Sequence, residues 1–176
     1  MIEYGGAYSQ QQQLFKELLI ILVLAVLLVF IVLMFLLKRL GIAILILFIS
    51  LMGINGSLIL LYIFNISLNV SSYTGLIMIV GIVAENAIFT VFQYFNDLKE
   101  HDRDFAVKNA VALRVRPNLM TAISAVSALL PFAIGIGIVA QMQQALAIAV
   151  IGGFLIGLLL LLIVLPTILK FKNDSD

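Results

Sequence analysis

The sequence predicts an all-α integral membrane protein built as a five-helix transmembrane bundle, and three observations predict it. Of its 176 residues 64% are hydrophobic, with a mean hydropathy of +1.23, far above the composition of a water-soluble globular domain. Uncharged runs from Leu18 to Leu37 and from Leu40 to Ala84 exceed the roughly 20 apolar residues that a spanning helix needs. Neither run alternates apolar and polar residues as a barrel strand does, so the spans are expected to be helices.

Taken in order, residues 1–13 are polar, with Gly5-Gly6 and the run Gln10 to Gln13, and lie outside the membrane. Span 1, about 14–37, is nearly pure Leu, Ile and Val, as suits a helix facing lipid over much of its circumference. Lys38-Arg39 ends it, and Gly41 is read as allowing the tight turn that follows. Span 2, about 42–64, carries Ser50, Gly53, Asn55, Gly56 and Ser57; small and polar residues let helix backbones approach, so its packing face is placed there. Asn65 to Ser72 is a turn-rich break in which Ser71 or Ser72 is expected to cap the next helix.

Span 3, about 73–96, holds Glu85 about 12 residues, or about 18 Å of helix, from each end. Residues 97–116 contain nearly half of the chain's charges and are read as a cytoplasmic loop leading into a short interfacial helix. Span 4, about 117–138, is expected to start at Pro117, which suits a first helical turn, and to kink at Pro131. Gln141 to Gln144 reads as a polar connection. Span 5, about 145–169, offers Gly153-x-x-x-Gly157 as a close-packing face, and residues 171–176 form a polar tail.

Nine of the ten Lys and Arg residues fall between spans 1 and 2, between spans 3 and 4, or in the tail; only Lys16 lies on the other side. Basic loops stay cytoplasmic, so the N-terminus is expected outside and the C-terminus inside. There is no basic leader with a cleavage site, so the first span would act as its own insertion signal. A polar N-terminus exported ahead of an unaided first span suggests that further chain precedes it.

Glu85 is the residue around which the rest is organised. An acid at the bilayer centre costs on the order of 3 kcal/mol by insertion scales, and such residues mark proton or ion pathways by default. Hydrocarbon favours the neutral acid, so Glu85 is a candidate proton carrier; the plainer reading is a protonated acid making one hydrogen bond between helices. Asn86, about 100° round the helix, is read either as a relay member or as hydrogen-bonding glue. Gly81, one turn before Glu85, is read as a packing glycine or as a residue that keeps that face open. Thr121, Ser124 and Ser127 form one stripe on span 4, compatible with small-residue packing, and Arg114 with Arg116 fits an anchor to lipid phosphates.

Other chemistries lack their residues. Without cysteine there are no disulfides and no thiolate ligands. The single histidine, His101, lies in a charged loop and is expected to be solvated, and the Met residues show no ligand spacing, so no metal site is assigned. No nucleophile elbow, His-Glu-x-x-His or phosphate loop occurs. The chain is therefore not expected to be an enzyme, to carry a cofactor or to bind nucleic acid.

Several segments together resemble one family. Ile2-Glu-Tyr-Gly-Gly6 ahead of the Gln run, Leu68-Asn-Val-Ser71, Gly75 through Ile88 with Gly81 and Glu85-Asn86-Ala-Ile88, Leu113-Arg-Val-Arg-Pro117 with Met120-Thr121-Ala122, Leu129-Leu-Pro131, and Ala145 through Gly153 to Leu165-Pro166 resemble the C-terminal end of a resistance-nodulation-division (RND) efflux permease. The resemblance covers nearly the whole chain in order. It implies that the bundle corresponds to the last five spans of such a permease, and that residues 1–13 are a remnant of a periplasmic porter domain, Ile2 to Tyr8 resembling its final strand.

The resemblance further implies a proton-driven efflux transporter of the bacterial inner membrane, exporting metal cations or drugs, for which this chain supplies half of the proton-relay bundle. Its partners would be membrane lipid, the remaining half of the permease or a homotrimer, a periplasmic adaptor and an outer-membrane channel. Thr121 matches the family's relay hydroxyl and Arg114 a basic position near the cytoplasmic proton exit. Most drug-efflux members carry Lys where Glu85 stands, so the acid resembles the heavy-metal branch. The family's acids that partner this position are absent from the chain, so the bundle is expected to seek a mate. The rival reading is a small structural or accessory membrane subunit, or an inactive fragment of a split permease gene.

Overall fold

A computed structural model describes residues 4–135 and 137–171. Five helices follow one another: α1 (Tyr4–Leu37), α2 (Leu40–Ile63), α3 (Val70–Asp97), α4 (Arg103–Ala133) and α5 (Ile138–Phe171), with no strand among the described residues. The protein is an all-α bundle of membrane-spanning helices. By length and composition α1, α2, α3 and α5 are apolar enough to cross a bilayer; α4 differs in joining a charged N-terminal half to an apolar half beyond Pro117.

Helix α5 is the hub, packing on α2, α3 and α4, while α1 lies outermost against α2 and α3 alone. The core runs through Ile46 and Ile49 of α2, Ile79, Val83 and Ala87 of α3, and Val150, Phe154 and Leu161 of α5. Small residues draw the central helices together. A Cβ on Gly56 would stand 2.5 Å from the Gly152 carbonyl, and one on Gly152 would stand 2.6 Å from that of Gly56, so two backbones meet where neither tolerates a side chain. Gly153 presses in the same way on Ser57 and Ile79, and Gly157 on Val83. Gly53 sits in the same seam, where a Cβ would stand 3.3 Å from Ile79.

The turns explain themselves locally. Lys38 adopts φ 51° and closes the α1–α2 connection, so the turn falls there and Gly41 lies inside α2. Asn65 adopts φ 53°; its N–H donates to the Tyr62 carbonyl and that of Ile66 to Leu61, while the Ile66 side chain packs in the cluster around Leu61. This is a Schellman ending with its apolar contact. Asn69, rather than Ser71 or Ser72, caps α3: its side chain accepts from the Ser72 N–H and the Ser72 hydroxyl accepts from the Asn69 N–H.

Three boundaries differ from those expected. The interfacial helix and span 4 are one helix, so Pro117 lies inside α4. The buried positions Ala106, Val107, Ala110 and Asn118 keep one stripe across the proline, and continuous packing of that face outweighs the one backbone hydrogen bond lost there. The α4–α5 connection follows Ala133, and Gly135 and Gly137 in it take φ 77° and 103°; Gln141 to Gln144 belong to α5, and Gln144 Nε2 donates to the Ala133 carbonyl at 2.9 Å. Finally, the expected strand over Ile2 to Tyr8 is helical from Tyr4 onward, since a helix pairs backbone groups that a lone strand leaves open; Ile2 and Glu3 lie outside the described residues.

Candidate functional site

Glu85 is positioned by what the rest of α3 buries. Val83 and Ala87 are buried against the central seam, and Glu85 stands two residues from each, about 160–200° round the helix. Burying that stripe therefore turns Glu85 outward. Residues Gly81, Glu85, Ile88, Phe89 and Phe92, one face by their spacing, line a groove of about 390 Å³ whose other wall is Leu28, Val29, Val32 and Leu36 of α1. Glu85 is exposed there, and among the described residues no hydrogen bond or ion pair reaches its carboxylate. In a membrane this is a carboxyl group facing an apolar groove, the kind of residue that is a functional candidate by default.

Gly81 serves that opening. A Cβ at Gly81 would have nothing within 4 Å, so the residue is no packing contact, in contrast to Gly53, Gly153 and Gly157. Asn55, expected on the packing face of α2, is exposed and donates only a long contact to Met52 Sδ at 3.9 Å. The seam instead uses Gly56 and Gly152, together with Gly75, whose Cβ would meet Ala149 at 2.8 Å.

Helix α4 approaches the same side. The Arg114 guanidinium carbon lies 5.0 Å from the centroid of the Phe89 ring, a cation–π geometry, and Phe89 is one turn beyond Glu85. Thr121 follows Arg114 by two turns on one stripe of α4. It is exposed, and its hydroxyl donates within its own helix, shared between the carbonyls of Pro117 at 3.1 Å and Asn118 at 3.0 Å, leaving its oxygen free to accept. Asn86 is half-buried beside the groove, and its carbonyl accepts from Thr90.

The structure thus aligns Glu85 with Arg114 through Phe89 and puts no member of the set in direct contact with another. Phe89 and Phe92 escaped the sequence reading, although their i+4 and i+7 spacing from Glu85 marks them as its face. Asn118 escaped it too: it is 3% exposed, with Nδ2 lacking a partner. No group of three or more His, Cys, Asp or Glu suited to a metal ion occurs among the described residues. His101 is exposed and stacks on Phe105 at 4.4 Å.

Comparison with known proteins agrees with this architecture. The cobalt-zinc-cadmium resistance protein CzcA of Cupriavidus metallidurans is 30% identical over 175 residues, covering 98% of this chain and 16% of the relative. The multidrug resistance protein MdtC of Edwardsiella ictaluri is 34% identical over 121 residues, covering 67% of this chain and 12% of the relative. A crystal structure of a heavy metal efflux pump superposes with a TM-score of 0.81 at 31% identity, over 94% of this chain and 17% of that one. The chain thus spans less than one-fifth of the length of the relatives it matches. The AcrB/AcrD/AcrF family matches residues 1–171, and with relatives and fold in agreement, the chain belongs to that family of RND permeases, on the side of its heavy-metal efflux branch.

Proposed function

We propose that this chain supplies half of the transmembrane proton-relay bundle of a proton-driven efflux permease that exports metal cations, with Glu85 as the proton carrier. The observation that carries the reading is Glu85 itself: a carboxyl inside a spanning helix, turned away from the central seam into an apolar groove of about 390 Å³ between α3 and α1, with no hydrogen bond or ion pair among the described residues. A group that only glued these five helices together would point into the seam, where Val83 and Ala87 point. An acid on an open face is placed to exchange a proton with a group that approaches from outside, and it is the neutral acid that hydrocarbon tolerates.

The remaining members take subordinate roles. Arg114, held over Phe89, supplies positive charge on the cytoplasmic side of Glu85. Thr121 and Asn86 offer a hydroxyl and an amide that can each donate and accept. The N-terminus is placed in the periplasm and the C-terminus in the cytoplasm, following the basic residues. In the whole permease the partners are the other half of the bundle, further copies in a trimer, a periplasmic adaptor and an outer-membrane channel. The acid at residue 85 and the heavy-metal relatives support metal rather than drug cargo.

The test is efflux in cells lacking their own pumps, expressing this chain together with the rest of its permease, and the same with Glu85→Gln. Export of divalent cations by the pair, abolished by Glu85→Gln with membrane insertion unchanged, supports the relay. Export that survives Glu85→Gln retires it and leaves the chain as a structural subunit.

A further inference from the structure

At the end of the bundle where the basic residues cluster, a second cavity lies between the α1–α2 turn and the end of α3. It has a volume of about 350 Å³ and is lined by Leu37, Arg39, Phe95, Leu98 and Lys99. The Arg39 guanidinium carbon is 4.9 Å from the centroid of the Phe95 ring, so this cation is held in place before any ligand arrives. Among the described residues neither Arg39 nor Lys99 has an acidic partner. Asp97, two residues before Lys99, accepts from Gln93 Nε2 and Asn109 Nδ2, both at 3.0 Å, rather than pairing with either cation; Glu100 is exposed and follows Lys99.

We propose that this cavity binds the phosphate of an anionic phospholipid in the cytoplasmic leaflet. The two cations meet the phosphate, and Leu37, Phe95 and Leu98 meet the first carbons of its chains. The position fits: Leu37 closes α1 and Leu98 caps α3, both at the ends of spanning helices, where a headgroup lies. Arg presents a planar fork to phosphate oxygens and Lys a mobile point charge, and basic pockets between helix ends at this level select anionic headgroups. A free phosphate ion would find the same cations and leave the apolar floor uncovered, so the lipid is the ligand assigned. The proposal rests on the membrane-spanning reading of the helices and not on the proton relay.

The experiment is native mass spectrometry of the full chain in detergent, titrated with phosphatidylglycerol or with phosphatidylcholine. Phosphatidylglycerol is expected to bind at least tenfold more tightly, and the preference is expected to vanish in Arg39→Gln/Lys99→Gln. Arg39→Lys/Lys99→Arg, which keeps both charges, is expected to retain most of it, and Phe95→Leu to weaken it. Circular dichroism checks that each variant keeps its helices. Equal binding of the two lipids overturns the proposal. So does a preference lost equally in Lys170→Gln, which would make it a general field effect, or displacement of the lipid by millimolar inorganic phosphate alone. Glu85→Gln is expected to leave lipid binding unchanged, so failure of the relay and failure of this site are told apart.

Discussion

Arg114 of α4 reaches the acid-bearing face of α3 through Phe89, its guanidinium 5.0 Å from the ring centroid. Phe89 lies one turn beyond Glu85 and lines the same groove, so a positive charge is held against the acid-bearing face of α3 and, among the described residues, makes no ion pair with Glu85. An Arg that paired with Glu85 directly would fix the carboxylate; one held by a ring one turn away leaves the carboxyl unpaired. Arg114→Ala is therefore expected to lower proton-coupled efflux by tenfold or more. Phe89→Leu, which keeps the charge and loses its seat, is expected to lower it less. Efflux rates at matched expression in the assembled permease check the order; equal loss in both would make the ring, rather than the charge, the important partner.

Glu85→Gln separates transport from folding. Glu85 touches none of the seam and its carboxylate has no partner among the described residues, so the amide costs the bundle nothing it was using. Thermal unfolding in detergent is expected to stay within about 0.5 kcal/mol of the parent, while efflux is lost. A large loss of stability would mean that the carboxyl is a structural hydrogen-bonding group.

Gly81 and Gly153 form a matched pair. Both are helix glycines in apolar spans, but a Cβ at Gly81 meets nothing within 4 Å, whereas one at Gly153 collides with Ile79 and with Ser57 Oγ. Gly81→Ala is expected to leave stability unchanged or slightly improved, because alanine is the better helix former. Gly153→Ala is expected to cost about 1–3 kcal/mol as α2, α3 and α5 are forced apart. Chemical unfolding of the two variants side by side measures the contrast.

That contrast also marks where the sequence stops being legible. The helices could be read because uncharged runs this long have one stable form in lipid. The small-residue seam was visible in Gly53 and Gly153-x-x-x-Gly157, yet spacing alone did not separate Gly81, which opens a groove, from Gly56, which closes a contact. Asn55 looked like an interface residue because it sits between Gly53 and Gly56, but one residue is 100° of helix, and that rotation carries it to the outside. Pro117 and Gln141 to Gln144 read as boundaries by local chemistry, whereas the α4 stripe and the left-handed Gly135 and Gly137 set them elsewhere. Glu85 was identifiable as an intramembrane acid from its neighbours. That it faces the groove beside α1 rather than the central seam depends on which stripe α3 buries, and this follows from the fit of three helices at once.

Two buried polar atoms give the last prediction. Ser57 is fully buried with Oγ unpartnered, pressed against Gly153, and Asn118 is 3% exposed with Nδ2 unpartnered. A buried group without a partner costs about 1–3 kcal/mol relative to one that is satisfied, so removing the polar atom removes that cost. Ser57→Ala deletes one atom from a crowded seam and leaves little void; it is expected to stabilise the five-helix chain by about 0.5–1 kcal/mol. Asn118→Leu, close in volume, is expected to do the same or better. The two sites then diverge in the assembled permease. Ser57 lies in the seam between α2 and α5, so its gain should persist there. Asn118 lies one turn from Arg114 and from Thr121 on α4, so if the other half of the bundle supplies its missing acceptor, Asn118→Leu should weaken assembly while Ser57→Ala does not. Thermal unfolding of the chain alone and of the assembled protein reads both, and a loss of stability for Ser57→Ala in the chain alone would show that its hydroxyl has a partner after all.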